Sequence, residues 1–328
     1  MLDLAIVSQG RTSAEALADT ETLARRADQL GYRRFWVAEH HNMSSVASTS
    51  PPVLIAHLAA RTERIRIGSG GVMLPNHPPL VVAEQFAMLE ALHPDRIDLG
   101  IGRAPGTDQR TAAALRRSPD GLGAEDFPRH LIDLMGLLGD RRGDHGIWDH
   151  LSATPRDEGC PQVVLLGSSD YSAQLAAILG LPFAFAHHFD MGGTTEAVDL
   201  YRSMFEPSAV LAHPHVIVTA SVLCADTDAQ AQYLAAPGRL SMLARRTGRF
   251  MPLVHPDEAN EHPDLPTAAQ MRTERLVSDP DGVVAGLDGL VARTQADEIM
   301  LSTSTYDVAD RVRSLELIAE HWGLILPA

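Results

Sequence analysis

A carboxylate and two histidines are adjacent in the segment Glu39-His40-His41. Imidazole titrates near neutral pH, so either His40 or His41 could exchange a proton during catalysis. The pair follows a short β-type run, and successive side chains of an extended chain point to opposite sides. We therefore expect one of the two histidines to face an active site. The alternative is a pair of solvated or core histidines.

A catalytic metal would also use histidines, but their spacing does not favour one. The zinc-binding pattern H-E-x-x-H is absent, and the other adjacent pair, His187-His188, lies far along the chain. The only H-x-H pattern, His213-Pro214-His215, precedes a predicted strand, whereas barrel enzymes have their active sites at strand C-termini. We predict no metal site.

Adjacent glycines follow the third predicted strand, at Gly70 and Gly71. Glycine lets another group approach the backbone closely, and a planar ring lying against this pair would be such a group. A simple bend in the chain explains the two glycines equally well.

A group of serines lies where the fifth predicted strand is followed by a helix, at Ser168, Ser169 and Ser172. The free N–H groups and the dipole of a helix N-terminus attract anions. Arg103 follows the fourth strand and would add a bidentate clamp. We predict a phosphate site here, with ordinary N-capping by Ser168 or Ser169 as the alternative.

The elements that must position these residues alternate between short β-type runs and longer amphipathic segments. The predicted strands are 3–8, 34–38, 65–70, 96–100, 162–166, 183–186, 216–224 and 298–301. Helices are predicted between them, among them 14–30, ended by Gly31, and 172–179, ended by Gly180. Eight such units predict an α/β protein with a (β/α)8 TIM barrel, in one domain covering residues 1–328.

Two segments interrupt the alternation, at about 102–125 and 236–278. Both begin at strand C-termini, and the second contains five prolines. Long loops inside a domain are commonly lids or binding loops, or else disordered. We expect the barrel to carry an extended loop insertion between its seventh and eighth strands.

The composition excludes several classes of function. The chain has 328 residues and 27 lysines plus arginines, all of them arginine. Schiff-base chemistry, pyridoxal phosphate anchoring and a P-loop all require lysine and are therefore excluded. A formal charge of -15 gives an acidic surface, so we expect no nucleic-acid partner.

The cysteines and the apolar runs predict the cellular compartment. The two cysteines, Cys160 and Cys224, are far apart, so no disulfide framework is indicated. The apolar run at the N-terminus is too short for a signal peptide, and no run is long enough for a membrane span. We expect a cytoplasmic protein without a membrane partner.

Taken together, four ordered motifs resemble the bacterial luciferase-like flavin monooxygenases. They are Glu39-His40-His41, the run Gly-Gly-Val-Met-Leu-Pro-x-His-Pro from Gly70, the run Gly-Ile-Gly-Arg-Ala-Pro-Gly-Thr-Asp from Gly100, and the run Leu-Gly-Ser-Ser-x-Tyr-Ser-Ala-Gln-Leu-Ala from Leu166. The resemblance covers nearly the whole chain and extends to the last predicted strand. Within this family, the chain is most similar to the single-chain members whose substrates are unassigned.

The resemblance implies an FMN-dependent monooxygenase that acts on a small organic substrate with O2. Reduced FMN would come from a separate NAD(P)H:flavin reductase, bind at the C-terminal mouth of the barrel, and react with O2 through a flavin hydroperoxide. His40 matches a histidine that acts in the oxygen chemistry, with His41 beside it. Gly70 and Gly71 match a pair joined by a non-proline cis peptide behind the flavin ring.

The remaining matched positions surround the cofactor phosphate or the substrate. The implied cofactor-binding residues at the second site are Arg103, Ser168, Ser169, Tyr171 and Ser172. His187 and His188 would lie on the substrate side, with core packing as the alternative. Where the luciferase subunit has a reactive cysteine this chain has Gly102, and His187 falls near a family tryptophan, so we do not expect light emission.

Two other functions compete with the monooxygenase. Relatives with the same barrel use a deazaflavin for hydride transfer, which makes a deazaflavin-dependent dehydrogenase the nearest alternative. A non-catalytic flavin-binding protein is the alternative from another class, and a metal-dependent hydrolase is a remote third. Family members also dimerise through the helices after the second and third strands, so we expect a homodimer.

Overall fold

A ring of parallel strands forms the centre of the protein. The computed structural model describes residues 1–115, 125–155, 159–189, 191–249, 251–271 and 273–324. Within these residues the strands are β1 (Leu2–Asp3), β2 (Arg34–Val37), β3 (Arg66–Met73), β4 (Ile97–Gly102), β5 (Gln162–Gly167), β6 (Phe183–Phe185), β7 (Val216–Cys224), β8 (Leu276–Ser278) and β9 (Glu298–Ser302).

Eight of these strands close the barrel. They follow the order β1 to β7 and then β9, with β9 pairing to both β7 and β1. The short strand β8 pairs with the C-terminal end of β7, outside the ring. The predicted (β/α)8 TIM barrel is therefore confirmed, with one additional strand.

Helices cover the outside of the ring. They are α1 (Ser13–Gln29), α2 (Pro51–Ala59), α3 (Pro79–Leu92), α4 (Gln109–Ala114), α5 (Phe127–Leu137), α6 (Asp170–Ile178), α7 (Thr194–Ser203), α8 (Asp228–Arg246), α9 (Pro256–Glu261), α10 (Leu265–Ala269), α11 (Pro280–Thr294) and α12 (Val308–His321). As predicted, α1 and α6 are followed by glycines with positive φ, 82° at Gly31 and 55° at Gly180. None of the described helices is both long and apolar enough to cross a bilayer.

The barrel interior is filled in layers. At its N-terminal end the guanidinium of Arg34 pairs with Asp98 and Glu298, each at 2.7 Å. His215 also contacts Glu298, at 3.0 Å, so the H-x-H pattern lies at the end away from the mouth, as predicted. An apolar layer follows, formed by Leu2, Trp36, Val164, Ala184, Ile217 and Met300. These layers close the barrel at the N-terminal ends of its strands, so a site can open only at the C-terminal mouth.

The first strand is shorter than predicted, because it ends at Asp3 and not at Ser8. The Asp3 carboxylate accepts a hydrogen bond from the backbone N–H of Ala5, which has a φ of 50°. This local bond turns the chain out of the ring, and Ile6 then forms an isolated antiparallel bridge with Val46.

The segment 236–278, expected as a long loop, contains regular structure. Its first residues are the C-terminal half of α8, and Pro237 is accommodated inside that helix. Its later residues form α9, α10 and β8, over an apolar cluster that includes Leu240, Val254 and Ala268. The other segment expected to be irregular, 102–125, contains α4. Its residues 116–124 lie outside the described residues.

The segment 236–278 contacts the barrel at the C-terminal ends of the strands. The N–H of Gln9, after β1, donates to the carbonyl of Leu253 at 2.8 Å. The ring of His255 packs edge-on against Tyr306, which follows β9. The segment therefore lies beside the mouth, between the ends of β1 and β9.

Candidate active site

His40 follows β2 at the mouth of the barrel and is held by a backbone acceptor. Its Nδ1 lies 3.1 Å from the carbonyl oxygen of Gly106, in the segment after β4. A carbonyl oxygen only accepts, so Nδ1 carries the proton and Nε2 of the neutral ring has a free lone pair. Burial lowers the pKa of His40 below its usual value. The residue is therefore a neutral imidazole at pH 7, with Nε2 available as a proton acceptor.

His41 points to a different partner from that of His40. Its Nε2 donates to Oε1 of Glu39 at 2.9 Å, and its side chain is largely buried. The two adjacent histidines thus diverge, as expected, although β2 has already ended at Val37. His40 is bound by the segment after β4, and His41 joins a separate cluster around Glu39.

Glu39 is completely buried and is the centre of this cluster. Its Oε1 accepts from Nε2 of His41, Nδ2 of Asn76 and Nε2 of His77, each at 2.9 Å, and its Oε2 accepts from the N–H of Met73. Burial alone would raise the pKa of Glu39, but these donors and the charge of His77 hold it below its usual value. The carboxylate therefore ties the segment after β2 to the segment after β3.

Three members of the cluster also form a possible metal-ligand set. The ligand atoms of Glu39, His41 and His77 lie within 4.8 Å of one another, and no other such group occurs among the described residues. We interpret the cluster as a hydrogen-bonded network, because each histidine Nε2 already donates to Glu39 in a normal geometry. Sequence spacing could not reveal this set, because His77 reaches Glu39 from another strand.

The floor of the mouth is formed by glycine backbone. The peptide between Gly70 and Gly71 is cis, which the resemblance implied. A Cβ on Gly71 would lie 2.8 Å from the carbonyl oxygen of Gly100, so no side chain fits there. The pairing of β3 with β4 shifts register between Gly70 and Val72. Close packing of β3 against β4 therefore requires glycine at position 71.

The predicted anion site is assembled at the N-terminus of α6. Ser169 is the N-cap residue but its hydroxyl makes no capping hydrogen bond, so ordinary capping does not account for it. The hydroxyls of Ser168 and Ser172 likewise form no hydrogen bond to another described residue. The Arg103 guanidinium stacks 4.1 Å above the ring of Tyr171. Arginine, serines and helix N-terminus therefore converge, as the sequence predicted, in an arrangement that fits a phosphate group.

His187 and His188 follow β6 and have different environments. His187 is buried, and its Nδ1 lies 2.8 Å from the hydroxyl of Thr194, so it has a packing role in the wall. The Nδ1 of His188 is buried without a hydrogen-bond partner among the described residues. Burial, together with the charges of Arg275, His187 and Arg245, lowers the pKa of His188 to about 4.

Arg245 was not singled out from the sequence, although its charge acts on both His40 and His188. It lies in the last turn of α8, within the segment expected to be a loop. Desolvation lowers its own pKa. Only the path of α8 brings Arg245 toward the mouth, so no local sequence signal could have identified it.

The chain is similar to known oxygenases over nearly its full length. Residues 2–313 match a family model described as luciferase-like monooxygenase. A luciferase-like monooxygenase of Escherichia coli (strain K12) is 43% identical over 321 residues, which cover 97% of this chain and 94% of the relative. The N-acetyl-S-alkylcysteine monooxygenase of Bacillus subtilis (strain 168) is 33% identical, with 95% and 90% covered.

Solved structures give the same result for the fold. Apo-MsnO8 superimposes with a TM-score of 0.90 at 40% identity, covering 99% of this chain and 98% of that one. The oxygenating constituent of 3,6-diketocamphane monooxygenase from Pseudomonas putida, in complex with FMN, has a TM-score of 0.75 at 19% identity, covering 98% and 96%. An F420-dependent secondary alcohol dehydrogenase has a TM-score of 0.67 at 14% identity, covering 94% of each chain.

Proposed function

This chain belongs to the luciferase-like monooxygenase family and is an oxygen-incorporating oxidoreductase, and we propose that it uses reduced FMN to oxygenate a small organic substrate. One oxygen atom of O2 enters the substrate and the other leaves as water. Bound reduced FMN would supply the two electrons that this reaction needs. We propose a cytoplasmic setting, in which a separate NAD(P)H:flavin reductase provides the reduced flavin.

The anion site at α6 is the observation that carries this proposal. The serine hydroxyls and the α6 N–H groups would donate hydrogen bonds to a phosphate monoester, and Arg103 would supply its countercharge. From this site, we propose that the cofactor extends across the mouth to the backbone of Gly70 and Gly71 in β3. The combination of a phosphate site and a flat glycine floor fits a flavin mononucleotide.

His40 is proposed as the catalytic proton acceptor at the mouth. Its Nδ1–H is engaged by Gly106, which orients the ring and leaves Nε2 for the reacting groups. Its lowered pKa keeps it unprotonated at neutral pH. His41 is proposed to act indirectly, because its Nε2 is bound to Glu39 and holds the neighbouring segments in place.

The wall formed by His187 and His188 is proposed as the substrate side. The segment 236–278 stands beside it and would keep water from the reacting groups, which limits unproductive loss of activated oxygen. Since a relative at 33% identity is an N-acetyl-S-alkylcysteine monooxygenase, thioethers of this kind are the first substrates to assay.

We also propose a homodimer that forms through α2 and α3. Four large apolar side chains are exposed on these helices, namely Val53 (71%), Val81 (43%), Met88 (53%) and Leu92 (62%). Val81, Met88 and Leu92 are spaced so that they share one face of α3. An apolar patch of this kind is typical of a subunit interface.

Two measurements test the proposed activity. Denaturation of the purified protein releases the bound chromophore, and identifying that chromophore distinguishes FMN from a deazaflavin. The phosphate of either cofactor would suit the same anion site. Incubation with flavin reductase, NAD(P)H, FMN, N-acetyl-S-methylcysteine and 18O2 should then yield a labelled oxygenated product. A bound deazaflavin, or product that carries no label across a panel of thioethers, ketones and aldehydes, would overturn the proposal.

A further inference from the structure

A cavity of about 220 Å³ lies beside the mouth, apart from the anion site at α6. Its wall includes Ser221 of β7, Gln232 and Arg239 of α8, Arg275 before β8, and Ser304 after β9. The wall contains residues of β7, α8, β8 and the segment after β9, and it includes no residue of α6 and not Arg103. The cavity is therefore a different site from the anion site.

Two guanidinium groups converge on this cavity. Arg239 is half-buried and donates to Oε1 of Gln232. No carboxylate oxygen of the described residues lies within 4.0 Å of the Arg239 guanidinium. Desolvation lowers the pKa of Arg239, and the more distant charge of Asp228 offsets only part of this effect. A half-buried cation without a close carboxylate is costly unless an anion binds to it.

Arg275, which precedes β8, lines the same cavity. A Cβ on Gly238 would lie 3.3 Å from Nη1 of Arg275 and 3.8 Å from Oγ of Ser304. Gly238 directly precedes Arg239 in α8, and the absence of a side chain at Gly238 lets Arg275 lie against the helix there. Two arginines on the wall of one cavity, with a serine hydroxyl beside them, supply the kind of donors that bind an oxyanion such as a carboxylate.

The remaining wall and the neighbours of the cavity indicate what the rest of the ligand is. Val222, Ala235 and Met242 supply apolar surface, which a simple inorganic anion would leave unused. The charge of Arg275 acts on His188, which we place on the substrate side. The cavity therefore adjoins the wall where the substrate is expected.

We propose that this cavity binds the oxyanion head group of an organic-acid substrate, with Arg239 and Arg275 as specificity-determining residues. This inference rests on the proposed oxygenase function, and it adds the substrate class. The apolar part of the acid would extend toward His188 and the glycine floor, so that oxidation occurs at a distance from the head group.

Binding of matched acids and neutral analogues tests the inference without turnover. Titration calorimetry on the flavin-free protein would use hexanoate, hexane-1-sulfonate and the uncharged hexanamide. At least one of the two acids should bind about tenfold or more tightly than hexanamide, and the difference between the acids tells which head group is preferred. Equal or absent binding of all three compounds would overturn the inference.

Substitution of Arg239 assigns the binding to the cavity. Arg239→Met should weaken acid binding by about tenfold or more and leave hexanamide unchanged, whereas Arg239→Lys should retain part of it. The matched control is Arg129→Met, which removes an exposed arginine of α5 that pairs with Asp126. Unchanged acid binding in a folded Arg239→Met protein would refute the assignment.

Flavin binding distinguishes failure of this inference from failure of the proposed function. If Arg239→Met weakens FMN but not riboflavin, the cavity belongs to the cofactor phosphate and the inference is wrong, although a flavin enzyme remains. If wild-type protein binds the acids but no flavin, the oxygenase proposal fails and the acid site still stands.

Discussion

Nδ1 of His40 lies 3.1 Å from the carbonyl oxygen of Gly106, and this contact joins the ends of two strands that are not neighbours in the ring. Gly106 has a φ of 65°, and a Cβ there would lie 2.8 Å from the carbonyl oxygen of Glu39. Glycine is therefore required at this position for the acceptor to reach His40. The bond selects the tautomer of His40 and thereby its chemical role.

The proposed role of His40 predicts a selective loss of coupling. His40→Ala should leave FMN bound, because the imidazole is not part of the α6 anion site, but should lower product formed per NAD(P)H oxidised by about 10²-fold or more. Simultaneous measurement of product and hydrogen peroxide checks this. An unchanged product yield would remove His40 from the mechanism.

The activity should also depend on pH through His40. Because burial lowers its pKa below 6.5, the unprotonated form predominates at neutral pH, and coupled activity should be flat there. Activity should fall on a single acidic limb below pH 6.5. The limb should be absent from the residual activity of His40→Ala; its persistence would assign the titration to another group.

Arg103 should carry the countercharge of the cofactor phosphate. Arg103→Ala is expected to weaken FMN binding by about 1.5–3 kcal/mol, the contribution of a hydrogen bond to a charged group. Riboflavin, which lacks the phosphate, should bind equally to both proteins. Arg110→Ala, an exposed arginine of α4, is the control. A dissociation constant for FMN that does not change would exclude Arg103 from the site.

The cluster around Glu39 should respond to loss of its negative charge and not to loss of a metal. Glu39→Gln places an amide NH2 among donors that now share one carboxylate, so the free energy of unfolding should fall by about 1–3 kcal/mol. Urea denaturation measures this. Dialysis against EDTA should leave the wild-type melting temperature unchanged; a decrease, reversed by added zinc, would establish a metal site instead.

His188 should make stability fall with acidity. Its pKa is about 4 in the folded protein and near 6.5 when unfolded, so the unfolded chain binds the proton first as pH decreases. Its contribution is complete above pH 6.5 and is lost toward pH 4, by about 1.5–2 kcal/mol between pH 7 and pH 5. Unfolding in urea at several pH values should give a smaller slope for His188→Gln.

The matched control for His188 is His213→Gln, because the His213 side chain is exposed and forms no ion pair with a carboxylate of the described residues. That variant should keep the wild-type slope. An identical slope in His188→Gln would mean that another group, such as His40, causes the pH dependence.

The apolar patch on α3 should determine the oligomeric state. Met88→Glu places a charge within the proposed interface, whose burial would be costly, and should convert a dimer into a monomer. Light scattering after size-exclusion chromatography measures the mass. Ile178→Glu, on the 49% exposed side chain of α6, is the control and should remain dimeric. A monomeric wild-type protein would contradict the prediction.

The sequence alone was enough to predict the barrel and the convergence of Arg103 with the start of α6. Alternating strand and helix patterns repeat along the whole chain, and parallel strands necessarily bring their C-terminal ends to one face. Arg103 and the serines at the start of α6 follow neighbouring strands, so their convergence follows from strand order alone. The boundary of β1 was wrong because a side-chain bond from Asp3 to the Ala5 N–H turns the chain.

Tertiary structure alone decided the chemistry of the individual side chains. The tautomer of His40 depends on Gly106, the charge of Glu39 on His77, and the position of Arg275 against α8 on the bare backbone of Gly238. Each of these contacts joins segments that are remote in the chain, so no local pattern encodes it. Residue types and periodicity therefore determined which strand ends supply groups to the mouth, whereas tertiary structure added Arg245 and His77 and, through burial and contact geometry, decided protonation states and partners.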